Sequence, residues 1–309
     1  MIRQNRLSVL NKNETQSYDF DEIIKGIGGT YYTNCYTVAP DTPRSLATVF
    51  SGLVPIINGC DSHTKWPQFF LQENVTNIFQ IFNEKGYQID FLSDPVERRC
   101  GIFPQYAIDN YVHNEQYSVE EFFKGLNIED KHVIFACFPQ FHWTLDAIGA
   151  STFGEKKGYQ NLSEALKNMQ KFINIEDFDH IFMFSDHGFK FSYELRTNPT
   201  YSILDEDRTN VLFLHKQKSE TQLSTNNSLC TILDLKSMFI QILNADKCSA
   251  RDYFLRERDH IIIEDHKSFT VGVTDPIERW ALKTPSSYYI RDVVSGYLKK
   301  SEEDKFSPI

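Results

Sequence analysis

The sequence predicts an α/β fold, in which a mostly parallel sheet carries helices on both faces and a small α+β lobe follows. Short apolar runs bounded by turn residues alternate with segments whose apolar residues recur at helical spacing, as in successive βαβ units. The central runs are apolar at nearly every position, which is typical of strands covered on both faces. The 309 residues are 41% hydrophobic and 24% charged, an ordinary globular composition.

Five runs are predicted to be strands, because each is apolar, short and bounded by turn-forming residues. In chain order they are Tyr87–Leu92, His132–Phe138, His180–Phe184, Val211–Leu214 and His260–Ile263. Four segments are predicted to be helices, since their apolar residues recur every three or four positions and so share one face. These segments are Thr42–Ser51, Val75–Lys85, Ser163–Ile173 and Leu229–Leu243.

The pattern changes from about Lys247 onward, where short apolar runs follow one another without intervening helices. These runs are Ile261–Ile263, Phe269–Val273 and Trp280–Leu282, and they indicate a hairpin-like tail. We therefore expect one α/β unit over residues 1–246 and a C-terminal α+β subdomain over residues 247–309 packed on it.

Charge and composition exclude several classes of function. The chain has 32 basic and 42 acidic residues, a formal charge of −10, which argues against non-specific nucleic-acid binding. No window of 18 apolar residues predicts a transmembrane helix, and the N-terminus lacks the apolar core of a signal peptide. The six cysteines are scattered without a CxxC pair, so free thiols are expected rather than a zinc knuckle.

The segment Ser185-Asp186-His187-Gly188 directly follows a predicted buried strand. Ligands of open α/β sheets bind at the carboxyl ends of the strands. A carboxylate and an imidazole at that place are two ligands for a divalent cation. The alternative interpretation is structural, with Asp186 capping the next helix and His187 packed against its neighbours.

Thr42 stands at the predicted start of a helix, as N-cap with Pro43 in the first helical position. That role alone would explain the residue. The same position also places a hydroxyl beside the exposed N–H groups of a helix N-terminus, which attract anions. A metal-activated hydroxyl there is a nucleophile for phosphoryl or sulfuryl transfer, with Arg44 binding two anion oxygens.

His142 and Asp146 follow the predicted strand His132–Phe138. His142 is a candidate general acid or anion ligand, and Asp146 a candidate carboxylate ligand of the metal. A buried histidine with a loop-capping aspartate is the structural alternative.

Taken in order, these segments resemble the sulfatase and alkaline-phosphatase-like superfamily, which includes arylsulfatases, phosphoethanolamine transferases and lipoteichoic acid synthases. The similarity spans about residues 7–290, and five segments carry it as an ordered set. They are Thr33–Gly52 with the nucleophile position at Thr42, Asn77–Phe91 with Gly86-Tyr87, Phe184–Gly188, Asp205–Leu212 and Thr231–Leu243. The resemblance implies a three-layer αβα sandwich of alkaline-phosphatase-like type.

The resemblance also implies a chemistry. Sulfatases convert a Cys or Ser nucleophile to formylglycine, whereas Thr42 resembles the nucleophile of phosphoethanolamine and phosphoglycerol transferases. Asp146-Ala147-Ile148-Gly149 is followed by Ala150, where two-metal relatives have a histidine, so one ion is expected. Its ligands would be Thr42, Asp186, His187 and one more acid, Asp146 or Asp41. Zinc or manganese suits this donor set, and calcium more often takes oxygen ligands alone.

The family's first strand ends in an aspartate that binds the metal. Ile2–Ser8 resembles the stretch just after that aspartate, so the strand is expected to be missing from this sequence. Two functions follow from these considerations. The first is a metal-dependent hydrolase or transferase acting on a phosphodiester or sulfate ester, in a small anionic molecule, a lipid headgroup or a surface glycan. The alternative is a catalytically impaired member of the family that binds glycans or partners; the compartment stays open.

Overall fold

The computed structural model describes residues 19–61, 71–93, 107–113, 118–128, 130–149, 151–189, 204–245, 255–266, 278–292 and 297–302. Strands and helices alternate along these residues as predicted. The helices are α1 Asp19–Ile27, α2 Thr42–Ser51, α3 Pro55–Asn58, α4 Ile78–Glu84, α5 Val119–Lys124, α6 Gln140–Ile148, α7 Thr152–Met169, α8 Glu206–Thr209 and α9 Leu235–Asn244. The strands are β1 Gly29–Tyr32, β2 Cys35–Tyr36, β3 Gln88–Ser93, β4 Asn110–His113, β5 His132–Ala136, β6 His180–Phe184, β7 Phe213–Gln217, β8 Leu223–Asn226, β9 Cys230–Thr231, β10 Ile261–His266, β11 Glu278–Lys283, β12 Ser287–Asp292 and β13 Tyr297–Glu302.

Two sheets form the central layer. The first has the order β4-β3-β5 and is parallel throughout, with Phe91 of β3 opposite Phe135 of β5. The second has the order β6-β7-β1-β8; β7 runs antiparallel to both β6 and β1, and β8 runs parallel to β1. Three of these five pairings are parallel, in agreement with the predicted mostly parallel sheet, and β7 forms the two antiparallel ones.

Strand β5 ends the first sheet and β6 ends the second, and no ladder of hydrogen bonds joins these two strands in the described part of the chain. Their Cα atoms lie mostly more than 8 Å apart, well beyond the spacing of about 4.8 Å in a paired ladder. Phe135 of β5 and Phe182 of β6 nevertheless pack into the same apolar core on one face of the layer. Ile134 of β5 and Met183 of β6 pack into a second core on the other face. The two sheets thus share one layer that is interrupted between β5 and β6.

Helices cover the layer on both faces, which gives the predicted three-layer sandwich. On one face α2, α4 and α9 enclose a core rich in phenylalanine, in which the rings of Phe79 and Phe135 lie 4.8 Å apart. On the other face α1, α5, α6 and α7 enclose a second core around Phe141 and Tyr159, whose rings lie 4.9 Å apart. A Cβ on Gly158 would lie 2.9 Å from Phe141, so glycine lets α6 and α7 approach closely.

The predicted helix Thr42–Ser51 and the predicted strand His180–Phe184 match α2 and β6 residue for residue. The prediction Ser163–Ile173 covers only the second half of α7, because the first half carries few apolar residues. The predicted helix Leu229–Leu243 begins too early. Its first residues form β9 and a 3₁₀ turn before α9 starts at Leu235.

The C-terminal region forms an antiparallel sheet of β10, β11, β12 and β13 in sequence order. The predicted runs around Ile261 and Trp280 lie in β10 and β11, and Phe269–Val273 lies outside the described residues, as does Ile2–Ser8. The sheet packs against the α/β unit through a third apolar core that includes Tyr36 and Tyr288. None of the described helices is long and apolar enough to cross a membrane.

Candidate active site at the start of helix α2

The first turn of α2 is fixed by Asp41 rather than by Thr42. Asp41 is extended (φ −138°, ψ 157°) and its side chain accepts a hydrogen bond from the Arg44 backbone N–H at 3.4 Å. Thr42 is therefore the first helical residue and not the predicted N-cap, and Pro43 occupies the second position, where its missing N–H leaves no donor unsatisfied. This shift by one residue leaves the Thr42 hydroxyl available for another partner.

That partner is His187, in the loop after β6. Thr42 Oγ1 lies 3.2 Å from His187 Nε2, and His187 Nδ1 lies 2.8 Å from the carbonyl oxygen of Gly188. A carbonyl oxygen only accepts, so Nδ1 carries the proton and donates it. In the neutral imidazole Nε2 is then the acceptor, and the Thr42 hydroxyl donates to it. The loop thus presents a basic nitrogen to a helix N-terminal hydroxyl.

Asp186 lies beside this pair, with its carboxylate fully buried and its Oδ2 3.6 Å from His187 Nε2. Its backbone carbonyl accepts a 2.6 Å hydrogen bond from Ser45 Oγ, one turn after Thr42 in α2. The preceding residue, Ser185, exchanges hydrogen bonds with Leu212, the residue immediately before β7. The loop is therefore held from α2 on one side and from the neighbouring strand on the other.

Arg44 is fully buried in an ion-pair network. Its guanidinium donates to the carboxylates of Asp41 and Asp265, at 2.6 Å from Nε and 2.7 Å from Nη2 respectively. Burial alone would lower the pKa of Arg44, but the charges of Asp41 and Asp265 raise it above its ordinary value. The sequence predicted that the Arg44 guanidinium binds an anion. In the structure this guanidinium holds the start of α2 against β10 through Asp265.

His142 and Asp146 lie one turn apart on α6, with His142 Nε2 3.0 Å from Asp146 Oδ2. The ring of His142 contacts that of Phe189, at a centroid distance of 5.5 Å, and Phe189 is the residue after Gly188. This face of α6 therefore borders the loop that carries Asp186 and His187. The Asp146 side chain is 60% exposed, in contrast to the buried carboxylate of Asp186.

The predicted metal ligands are brought together only in part. Thr42, Asp186 and His187 are neighbours, and their hydroxyl, carboxylate and imidazole suit a divalent cation such as zinc or manganese. Asp146 pairs with His142 instead. Across the part of the chain that the structure describes, no three His, Cys, Asp or Glu side chains converge, so these residues do not complete the predicted four-ligand set.

Three residues that sequence reasoning gave no role also shape the site. Ser45 fixes the Asp186 carbonyl, and its position three residues after Thr42 was the available signal, because such residues share a helix face. Arg208 joins the two halves of the site: its Nε donates to the Pro40 carbonyl, and its own carbonyl accepts from Gly188 N, each at 2.7 Å. Asp265 lies 221 residues beyond Arg44, and nothing in the sequence links them.

No protein-family model and no curated protein matches the chain. Solved structures do match it. A Bacteroides thetaiotaomicron protein assigned to the sulfatases superposes with a TM-score of 0.69 at 12% identity, over 97% of this chain and 83% of the other. A 2-O GAG sulfatase gives 0.62 at 12% identity, over 97% and 83%. A phosphonate monoester hydrolase from Silicibacter pomeroyi gives 0.60 at 9% identity, over 99% and 89%.

A Vibrio parahaemolyticus protein of the alkaline phosphatase superfamily also matches, with a TM-score of 0.60 at 13% identity over 93% of this chain and 73% of the other. At such identities the matches show the fold. The central layer, the helices on its two faces and these matches agree with the resemblance of the sequence motifs, and the chain has the alkaline-phosphatase-like α/β fold of the sulfatase and alkaline phosphatase superfamily.

Proposed function

We propose that the chain is a hydrolase or transferase that cleaves phosphate or sulfate esters through the Thr42 hydroxyl. The observation that carries the proposal is the hydrogen bond from Thr42 Oγ1 to His187 Nε2, 3.2 Å long, at the N-terminus of α2. A nucleophilic hydroxyl needs a base within hydrogen-bond reach and a third group that orients the base. The Gly188 carbonyl orients His187 in this way.

In the proposed reaction Thr42 Oγ attacks the phosphorus or sulfur atom, and its proton passes to His187 Nε2. The bond to the leaving oxygen breaks, and the leaving group departs with the electron pair. Water then attacks the phosphoryl- or sulfuryl-threonine, or an acceptor hydroxyl does so in a transferase, and the Thr42 oxygen leaves and regains a proton. His142, beside the same loop, is the proposed proton carrier for the leaving oxygen.

The surroundings of Thr42 favour the negative charge of such an ester. Thr42 is the first residue of α2 and therefore lies at the positive end of the helix dipole. Thr42 is 5% exposed and His187 is 3% exposed, so the attack would take place largely out of bulk water. Arg44 acts in this proposal as a positioning residue, since its guanidinium holds Asp41 and thereby the helix start.

The donor set also supports a bound divalent cation, held by Asp186, His187 and Thr42. When bound, such an ion would lower the pKa of the hydroxyl and offset the charge of the transferred group. His187 would then serve as a ligand rather than as a base. Metal content and turnover therefore have to be measured on the same preparation. Asp146 stays a proposed further ligand.

The substrate class is proposed to be an anionic ester on a glycan, with lipid headgroups as the other candidate. Structures similar to this chain include a 2-O GAG sulfatase and a protein in complex with D-glucosamine-2-N,6-O-disulfate, which gives a TM-score of 0.62. Hydrolysis and transfer would share the first step and differ only in the acceptor.

The test uses p-nitrophenyl sulfate, bis(p-nitrophenyl) phosphate and p-nitrophenyl phenylphosphonate, with and without added zinc or manganese. Thr42→Ala should lower kcat by about 10³-fold or more, whereas Thr42→Ser should keep measurable activity. Thr48→Val is the matched control: Thr48 lies in the same helix, and no described group hydrogen-bonds its buried hydroxyl. Asp186→Asn should reduce the metal bound per chain.

A phosphoryl or sulfuryl group on the peptide that contains Thr42, trapped by acid quench and located by mass spectrometry, would support the covalent step. The proposal fails if the wild-type protein turns over none of the three esters with either metal. It also fails if Thr42→Ala and Thr48→Val behave alike.

A further inference from the structure

Two buried cysteines lie directly opposite one another where β2 pairs with β9. The two strands run parallel, and Cys35 is the register partner of Cys230. Both side chains are fully buried and belong to the same apolar core, so they project from the same face of the ladder. Neighbouring strands lie about 4.8 Å apart, and this spacing falls within the Cα separation of about 4.4–6.8 Å that a disulfide spans.

The two thiols interact with each other, although both are free in the structure. Burial is the main cause that raises the pKa of Cys35 well above its ordinary value, and a hydrogen bond with Cys230 raises it further. Cys230 Sγ also lies 3.8 Å from the Asn34 carbonyl oxygen, to which it donates. The thiolate is the reactive form of cysteine, so the folded protein should react slowly at Cys35.

The two strands lead to opposite ends of α2, the helix that begins with Thr42. Strand β2 is followed by Thr37, whose hydroxyl oxygen lies 2.9 Å from Ser45 Oγ near the start of α2. Strand β9 leads into α9, where Lys236 Nζ donates to the Ser51 carbonyl at the end of α2, also at 2.9 Å. The ladder between β2 and β9 is only two residue pairs long. A covalent bond across it would therefore tie together two segments that hold α2.

We propose that Cys35 and Cys230 are a redox-modification site, at which a small disulfide oxidant such as oxidised glutathione generates a disulfide between β2 and β9. One protein thiolate attacks a sulfur of the oxidant, whose S–S bond breaks, and a small thiolate leaves with the electron pair. The second protein thiolate attacks the protein sulfur of this mixed disulfide and displaces the other small thiolate. Two protein thiols are oxidised, one small disulfide is reduced, and the two protons pass to the released thiolates.

The experiment incubates the reduced, folded chain with oxidised glutathione, in urea just below the unfolding midpoint so that buried thiols are transiently exposed. Remaining thiols are blocked with iodoacetamide, and the chain is digested with trypsin without reduction. Cleavage after lysine and arginine places Cys35 in the peptide 26–44 and Cys230 in the peptide 219–236, each with a single cysteine. We expect mass spectrometry to find these two peptides joined, with a mass two hydrogen atoms below their sum.

The bond would close a loop of about 195 residues. The thermal midpoint of the oxidised protein should therefore be about 5–10 °C higher than that of the reduced protein, and dithiothreitol should remove the difference. Cys230→Ala should lose both the joined peptides and this difference. Cys60→Ala is the matched control, since Cys60 is a fully buried cysteine of the same core, and it should keep both.

Oxidised and reduced midpoints are compared within each protein, so a loss of stability caused by the alanine itself does not affect the result. The comparison on the wild-type chain alone is sufficient if a variant does not fold. Three results would overturn the proposal: no joined peptides from the wild-type protein, joining of Cys35 to a different cysteine, or equal midpoints of the oxidised and reduced wild-type protein. Turnover by Thr42 is not involved in any of these measurements, so the disulfide and the proposed function can fail independently.

Discussion

A histidine lies close to a hydrogen-bonding partner at each end of strand β6. The partner is a second histidine at the amino end and a hydroxyl at the carboxyl end, and the comparison shows what makes such a histidine a candidate catalyst. At the amino end, His180 Nδ1 lies 3.1 Å from His215 Nε2, and the two rings are stacked within 9° of parallel. At the carboxyl end, His187 Nε2 faces the Thr42 hydroxyl. Both pairs are short, so distance does not distinguish them.

The surroundings distinguish the two ends. His215 packs against Phe182 at a ring distance of 4.6 Å, and Phe182 packs in turn against Phe239, so the amino end continues into the apolar core. The carboxyl end lies beside a helix N-terminus and a buried carboxylate, that of Asp186. A helix N-terminus, which attracts anions, and a carboxylate, which can bind a cation, thus meet where the strand ends, which is where ligands of α/β sheets bind.

The largest expected effect concerns the ion pairs that hold the carboxyl end. Arg44→Met removes the buried guanidinium and leaves Asp41 and Asp265 without their shared partner. Unpairing a buried charge typically costs about 3–5 kcal/mol, so the free energy of unfolding should fall by that amount. Urea denaturation followed by circular dichroism measures it.

Arg279→Met is the control for this prediction. Arg279 also pairs with Asp265, but at 3.7 Å and with a partly exposed side chain, so its loss should cost about 1 kcal/mol or less. Equal costs for Arg44→Met and Arg279→Met would show that the buried network does not hold the start of α2.

A smaller effect is expected at the amino end, where Gly29 approaches the backbone of β7. Gly29 has φ +92°, and a Cβ there would lie 2.5 Å from the His215 carbonyl oxygen and 2.8 Å from Lys216 Cα. Gly29→Ala should therefore destabilise the fold by about 2–3 kcal/mol, through left-handed strain and a backbone clash together. Thermal unfolding monitored by calorimetry measures the change.

Gly149→Ala separates the two causes. Gly149 has φ +87° and ψ 154°, but nothing described lies within 4 Å of its added Cβ, so only the backbone strain of about 1–3 kcal/mol applies. If Gly29→Ala cost no more than Gly149→Ala, the close approach of β1 to β7 would be wrong.

Sequence reasoning predicted the extents of single helices and strands better than it predicted which strands pair with one another. The extents of α2 and β6 were predicted because each has an apolar pattern bounded by turn residues. The antiparallel pairing of β1 with β7 was not predicted, since it joins segments about 185 residues apart and no local pattern records it. Pairing of this kind depends on which surfaces the whole chain buries together.

The same limit applies to the site. Thr42 was predicted from one segment and Asp186 with His187 from another, and the structure brings the three residues together. Arg44 was expected to bind an anion, because a sequence does not show that the guanidinium lies between the carboxylates of nearby Asp41 and distant Asp265. A motif therefore indicates which residues to consider, and the packing decides which of them face one another.

The smallest expected effect is a pH dependence that arises at the amino end. Burial lowers the pKa of His180 below its ordinary value of 6.5, while Asp179 and Glu220 act in the opposite direction and His215 faces the ring. The unfolded chain then binds more protons than the folded protein in the window below about pH 7. Stability should consequently fall as the pH is lowered through 6.5 toward the folded-state pKa, and level off below it.

His180→Phe should flatten this slope, as measured by urea denaturation from pH 7.5 to 5. If the wild-type and His180→Phe proteins lost stability in parallel, burial of His180 would not be the source of the slope. The comparison of the two ends of β6 would then rest only on the partners of the two histidines, which are His215 for His180 and Thr42 for His187.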